Sequence, residues 1–342
     1  RIPAIMEMPY NDIIRKFIDM YAGRLRNQVS FMLSACNFYM PIFEEALDAY
    51  GLPLELRYLP IIESALNPSA VSRAGASGLW QFMIGTGKIY GLESNSLVDE
   101  RRDPIKATWA AARYLKEMYD IYGDWNLVIA AYNCGPGTIN KAIRRANGET
   151  DYWKIYNYLP KETRGYVPAF IAANYVMTYY CDHNICPMET NIPASTDTVQ
   201  VNKNLHFEQI ADLCNVPLDQ IKSLNPQYKK QMIPGDSKPY TLRLPIDAIS
   251  TFIDKQDTIY AHRADELFRN RKTVAIKEIT PSTRKTTTAV AGKGKLTYYT
   301  IKSGDTLSTI AGKYGVTIKD IQRWNGMSNT KIAAGKRLKI YK

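Results

Sequence analysis

The chain has 342 residues, 45% hydrophobic and 11% aromatic, so it is longer than one core usually grows and apolar enough to fold along most of its length. Its net charge of +11 is uneven: from Arg271 onward 16 Lys and Arg face 3 Asp and Glu, a net +13, whereas the preceding residues carry 28 against 30. No apolar run approaches the ~20 residues that span a bilayer. The basic tail lacks any zinc-finger, helix-turn-helix or RNA-binding signature, so a solvated linker or contact with an anionic envelope polymer is expected there, not nucleic acid. Five scattered cysteines (Cys36, Cys134, Cys181, Cys186, Cys214) and three histidines give neither a disulfide framework nor metal-ligand spacing, and neither metal nor cofactor is expected. A Cys181 to Cys186 bridge and buried free thiols both fit the pattern. The chain opens at Arg1 rather than Met, which leaves room for a targeting segment or membrane anchor upstream of it.

Asn11 is placed to cap a helix from Asp12 to Tyr21, and apolar residues recur at helical spacing through Val29, Phe31 and Met32 and again at Ile42, Phe43 and Leu47. Gly51 ends that pattern and Pro53 starts the next helix, from about Leu54 to Glu63. Glu63 closes the apolar run Leu59, Ile61, Ile62. Asn67-Pro68 then breaks the helix, and Gly75 and Gly78 let the chain return before Leu79-Trp80-Gln81-Phe82. A carboxyl group among apolar neighbours has its pKa raised, and so it can stay protonated near neutral pH as a general acid. Glu44, Glu45 and Glu55 read as a solvated helix face.

Further along, a short helix is expected from Thr86 to Tyr90 and a charged loop from Asp99 to Asp103. Asp103-Pro104 starts a helix that runs through Trp109, Tyr114 and Met118 to Gly123, and Asp124 caps another from Trp125 to about Tyr132. Gly135-Pro136-Gly137 predicts a turn after it. Tyr132 and Asn133 then stand at a helix terminus facing the cleft of Glu63. On local grammar alone they read as a core aromatic and a helix-terminating amide. After Glu162-Thr163-Arg164-Gly165-Tyr166-Val167, a helix is expected from about Pro168 to Tyr180, with Glu162 as a hydrogen-bonded structural acid.

Three ordered motifs raise the specificity of this reading: Glu63-Ser64, Ala76-Ser77-Gly78-Leu79-Trp80-Gln81, and Ala130-Ala131-Tyr132-Asn133-Cys134-Gly135-Pro136-Gly137. Together they resemble the soluble-lytic-transglycosylase (SLT) domain of glycoside hydrolase family 23, most nearly its membrane-bound D branch, over about Leu52 to Tyr180. The resemblance implies a mainly α, lysozyme-like fold. It further implies that Glu63 is catalytic and that Ser72, Gly78, Gln81, Met83, Tyr132, Asn133 and Tyr166 line the glycan cleft, with Gly78 letting backbone approach sugar. By themselves Ser72, Gly78, Gln81 and Met83 would read as turn serine, turn glycine, surface amide and core methionine. Cys134 stands where the family commonly has Ala.

The remainder holds a repeat. Ile210, Ala211, Val216, Ile221 and Asn225 recur one hundred positions later as Ile310, Ala311, Val316, Ile321 and Asn325. Around the second copy the expected order is a strand from Tyr298 to Ile301, a Ser-Gly-Asp-Thr turn at 303 to 306, two short helices, Asn325-Gly326, and a strand near Arg337 to Ile340. This resembles a LysM module, a small α+β (βααβ) unit that binds N-acetylglucosamine-containing glycans. The first copy, about Asp197 to Leu244, lacks the Gly-Asp turn and carries an insertion before Leu242. The expected organisation is a helical SLT domain over 1–190, a degenerate LysM-like module over 196–248, a helical segment and flexible basic linker over 249–296, and a LysM module over 297–342.

Most glycosidases use two carboxylates, and only Glu63 stands out here. The resemblance implies the route that needs one: Glu63 protonates the oxygen between N-acetylmuramic acid and N-acetylglucosamine in peptidoglycan, then takes the proton of the muramyl C6 hydroxyl, leaving a 1,6-anhydromuramyl end. Such an enzyme would work on the periplasmic side of a bacterial envelope, with outer-membrane attachment open. A hydrolase of the goose-lysozyme or chitinase type, and an inactive peptidoglycan-binding scaffold, are the alternatives.

Overall fold

The computed structural model describes residues 5–190, 192–193, 195–269, 276–279, 296–302, 305–325, 327 and 332–341. It comprises two units, 1–280 and 281–342. Asn11 begins the first helix by accepting from the backbone N–H groups of Ile13 and Ile14, both at 3.0 Å, and α1 runs Asp12–Ala22. The long α2 follows, Arg26–Ala49, and then a 3-10 turn Leu54–Tyr58 leads into the six-residue α3, Leu59–Ser64. The sequence pattern predicts one helix over this last stretch. Pro60, near the start of α3, lacks the N–H that would carry an α-helical bond back into the preceding turn.

After α4 (Ile84–Ile89), Asp103 caps α5 (Pro104–Tyr122) by accepting from Ile105 and Lys106, and Gly123 closes it in the left-handed region at φ 60°. Asp124 caps α6, Trp125–Cys134, which runs past the expected end at Tyr132 and keeps Asn133 within its last turn. The expected Gly-Pro-Gly turn contracts to Gly135 alone, because Pro136 already occupies the first turn of α7, Pro136–Arg145. The short α8 (Tyr152–Ile155) precedes α9, Lys161–Thr178.

The start of α9 corrects the expected boundary at Pro168, which lies inside the helix. A proline there strips the Arg164 carbonyl of its helical donor. The Tyr152 hydroxyl replaces it at 3.0 Å, and the helix continues. Tyr166 is therefore held on a rigid element rather than on a loop before one. The core of this helical domain is built on Trp80 and Phe43, both fully buried, with ring centroids 5.3 Å apart edge to face and the Trp80 indole donating to Thr108 at 2.9 Å.

The first copy of the repeat pairs β1 (Thr196–Val201) antiparallel with β4 (Tyr240–Pro245), and a second pair, β2 (Asn204–His206) with β3 (Met232–Pro234), accommodates the insertion. Between them lie α10 (Phe207–Cys214) and α11 (Leu218–Leu224). The helices α12 (Ile246–Asp254), α13 (Gln256–Ala261) and α14 (Ala264–Leu267) follow. Phe252 and Ile259 are buried in the same cluster as Ile210 and Ile221, so the helical segment expected from 249 packs into the module's core. Leu97 and Val98 of the helical domain are buried in that cluster too. Part of the predicted linker is also ordered: Asn95 and Glu278 pair antiparallel, and the Lys277 carbonyl accepts from Ser96 at 2.9 Å. Residues 280–295 of that linker lie outside the described residues, as do Ser303, Gly304 and Gly326.

In the second unit, β5 (Leu296–Thr300) pairs antiparallel with β6 (Arg337–Tyr341), flanking α15 (Leu307–Tyr314) and α16 (Ile318–Asn325). The two copies share one internal clamp. Asn225 donates to the carbonyls of Ile221 and Arg243 at 2.9 and 2.8 Å and accepts from the Arg243 N–H at 2.8 Å. Asn325 makes the same three bonds with Ile321 and Lys339, at 2.8, 2.9 and 2.7 Å. All five cysteines are free thiols, Cys181 and Cys186 exposed. Among the described residues no helix is long and apolar enough to cross a membrane.

Candidate active site

Glu63 sits in the last turn of α3, and Ala65 and Leu66, both left-handed at φ 51° and 59°, turn the chain sharply away after it. Ser64 locks this exit by donating from its hydroxyl toward the carbonyls of Pro60 and Leu79, each at 3.0 Å. The carboxyl group opens onto a cavity of about 420 Å³ lined by Tyr21, Gln28, Met32, Ile62, Ser72 and Gln81 among others. Glu63 is half-buried and lines that cavity. Burial raises its pKa to about 7; the Tyr166 hydroxyl, which donates to Oε1, pulls the value down, and the negative charge of Glu162 pushes it up.

Two tyrosines stand beside the acid. Tyr166 and Tyr132 are both held well above the ordinary tyrosine pKa, in each case by burial first and then by the charge of Glu63. They therefore remain neutral donors. Tyr132 donates to the Trp80 carbonyl at 2.7 Å, and Asn133, next to it on α6, accepts from the Thr163 hydroxyl at 2.9 Å. Thr163 lies one turn before Tyr166 on α9, so α6 and α9 are tied together next to the acid.

The loop from Ala70 to Met83 forms the opposite wall. Ser72 accepts from the Ala76 N–H at 3.0 Å, which closes a small turn and leaves the residue exposed on the rim. Gln81, left-handed at φ 48°, donates to the carbonyls of Gly78 and Ala70 at 2.8 and 3.2 Å. Gly78 admits a neighbouring stretch of backbone: a Cβ there would lie 1.7 Å from the Arg101 carbonyl. Met83 is 46% exposed where α4 begins, and it does not line the cavity. Glu162, expected to be a hydrogen-bonded structural acid, is solvent-exposed on the first turn of α9.

Local sequence patterns missed two groups. Tyr21 and Gln28 come from helices that read only as an N-terminal extension, yet both line the cavity. In the charged stretch, Asp99, Glu100 and Arg101 prove buried: Asp99 and Arg101 pair at 2.8 Å with side chains 2% and 6% exposed. Arg101 also donates to the carbonyls of Gly75 and Phe82, both at 2.9 Å, thereby bracing the loop that carries Ser72 and Gln81. Bidentate geometry of this kind is available to arginine and not to lysine.

The chain is 32% identical over 341 residues to the membrane-bound lytic murein transglycosylase D of Escherichia coli (strain K12), covering 98% of this chain and 70% of that protein. The chain belongs to the membrane-bound lytic murein transglycosylase D family. Three family models match along it: "Transglycosylase SLT domain" over residues 40–155, "Lytic transglycosylase MltD, LysM-like domain" over 195–261, and "LysM domain" over 299–340. The soluble lytic murein transglycosylase of E. coli (strain K12) is 33% identical over 124 residues, 34% of this chain and 19% of that protein. The crystal structure of the 70 kDa soluble lytic transglycosylase SLT70 from E. coli is 29% identical over 42% of this chain and 24% of its own, with a TM-score of 0.37. The enzyme class of this transglycosylase D relative is thus a lytic transglycosylase acting on peptidoglycan. The SLT match takes in Glu63, Ser72, Gln81, Tyr132 and Asn133 but ends before Tyr166, which reaches the acid from the following helix.

Proposed function

We propose that Glu63 is the single general acid and base of this transglycosylase, cleaving the bond between N-acetylmuramic acid and N-acetylglucosamine in peptidoglycan. The observation that carries the reading is one carboxyl group, raised to about 7 by burial, opening onto a cavity lined by no other carboxylate among the described residues. Protonated Glu63 gives its proton to the bridging oxygen as the muramyl C1–O bond breaks through an oxocarbenium-like state. The muramyl C6 hydroxyl then bonds to C1 and returns its proton to Glu63. The acid ends as it began, no water is consumed, and the product carries a 1,6-anhydromuramyl end. A group that must give and then take a proton works best with a pKa near the working pH. Tyr166 keeps the carboxyl oriented, Tyr132 and Asn133 bound the site from α6, and Ser72 and Gln81 contact sugar from the rim.

The rest of the chain fits a wall enzyme of the bacterial envelope. The second unit keeps the strand-helix-helix-strand order and is the proposed binder of N-acetylglucosamine-containing glycan, raising effective concentration at the substrate without new chemistry. Mass spectrometry of fragments released from purified peptidoglycan tests the mechanism. Anhydromuramyl ends that disappear in Glu63→Gln are expected; reducing ends would mean attack by water and overturn the single-carboxylate route.

A further inference from the structure

A groove of about 980 Å³ lies next to the Glu63 cavity, with one wall from the helical domain and the other from the first LysM-like module. Both depressions lie on one face of α2. Leu25, Gln28 and Met32 border the cavity, whereas Phe31, Ala35 and Phe38 border the groove. The step from Gln28 to Ala35 is roughly 10 Å at 1.5 Å per residue. The loop after Glu63 alternates in the same way, since Ala65 and Ala70 to Ser72 face the cavity while Leu66 to Ser69 face the groove. The two depressions therefore lie side by side along α2 and along the loop after Glu63.

The lining suits a saccharide. Phe31 is 39% exposed and Phe38 half-buried, giving an aromatic floor for the C–H face of a pyranose ring. Across from them α11 presents Gln220 and Ser223, and the loop presents Asn67 and Ser69, all uncharged groups matched to hydroxyls and acetamides. The charge at the rim is of the wrong sign for a peptide carboxylate: Glu189 is exposed there, and Asp219 is already paired with Lys222 at 3.1 Å. The module that supplies the second wall is fixed in place, because the Asp99 N–H donates to the Gln227 carbonyl at 2.9 Å and the Lys229 N–H to the Leu97 carbonyl at 2.8 Å.

We propose that this groove is an additional saccharide-binding stretch, holding the glycan strand beyond the bond cleaved at Glu63, and that the first LysM-like module acts as its fixed wall. The proposal rests on reading the Glu63 cavity as the cleavage site. Its test compares kcat/KM on long uncrosslinked glycan strands with that on the shortest muropeptide chain the wild type cleaves. Phe31→Ala removes the exposed ring, and Ser223→Trp plugs the groove from the module side. Each is expected to lower kcat/KM on long strands by roughly three- to tenfold, the size of one lost aromatic contact, and to leave the short substrate unchanged. Equal losses on both substrates, or no loss from either variant with circular dichroism unaltered, overturn the proposal. Binding of uncleaved strands to Glu63→Gln with and without Phe31→Ala separates the two readings. Weaker binding in the double variant upholds the groove even if Glu63 proves not to be the acid, and unchanged binding refutes the groove alone.

Discussion

Replacing Glu63 with Gln should cost activity and add stability, with a pH dependence that identifies the cause. In the folded chain burial holds the carboxyl proton until about pH 7, against 4.5 for an ordinary glutamate. Between those values the folded state binds a proton that the unfolded state has released, so stability falls as pH rises through that window. A gap of this size corresponds to about 3 kcal/mol at ~1.4 kcal/mol per unit, less whatever solvent at the half-buried side chain recovers, so roughly 2–3 kcal/mol. The amide of the variant has no such proton to release and still accepts from the Tyr166 hydroxyl. The Glu63→Gln protein is therefore expected to exceed the wild type by that amount above pH 7 and to match it below pH 4.5, while losing on the order of 10²- to 10⁴-fold in rate. Urea unfolding followed by tryptophan fluorescence from pH 4.5 to 8 measures the difference. A stability gap that stays flat across that range, or that favours the wild type at pH 8, would refute the claim that a desolvated proton sits on Glu63.

Three further outcomes follow from the same geometry. Tyr166→Phe removes the hydroxyl that lowers the Glu63 pKa, so the alkaline limb of the kcat/KM profile should move above pH 7 while the maximum rate drops; a limb moved downward would contradict the hydrogen bond's assigned direction. Arg101→Met leaves the buried Asp99 with only Lys229, 3.8 Å away, and frees the carbonyls of Gly75 and Phe82, which should destabilise the chain by about 3 kcal/mol, with Arg101→Lys recovering only part of it in thermal melts. Deleting Lys295 to Lys342 should weaken sedimentation with insoluble sacculi and spare cleavage of soluble fragments, and equal sacculus binding by both proteins would count against a glycan-binding second module.

How much was legible depended on how local each cause was. Asn11, Asp103 and Asp124 cap their helices as read, because a cap is a bond between neighbours in sequence. Pro168 misled because its cost is offset by Tyr152, a partner from another helix that no local pattern announces. The same holds for Asp99 and Arg101. Charges in sequence read as solvated, and only the packed loop shows each closing the other's needs along with two carbonyls. At the site, the apolar run before Glu63 was sufficient to suspect a raised pKa. Tyr166 came only through family resemblance, and Tyr21 and Gln28 through neither, since their roles depend on where α1 and α2 cross the cleft.

The two copies of the repeat separate fold from use. Each keeps its asparagine clamp, but the clamp spans 18 residues in the first and 14 in the second, and the extra length feeds the β2–β3 pair and the approach to β4. There Lys238 pairs with Glu93 at 2.6 Å, and Tyr240 donates to the same carboxylate at 3.1 Å. These bonds commit that stretch of the first module to the helical domain. In the second copy Asp305 accepts from the Tyr299 hydroxyl and from the Lys302 N–H, both at 2.8 Å. The first module, docked in this way, shapes the surface it joins. Of the first copy's helices, α11 is the one that lines the groove beside the active site, through Asp219, Gln220 and Ser223.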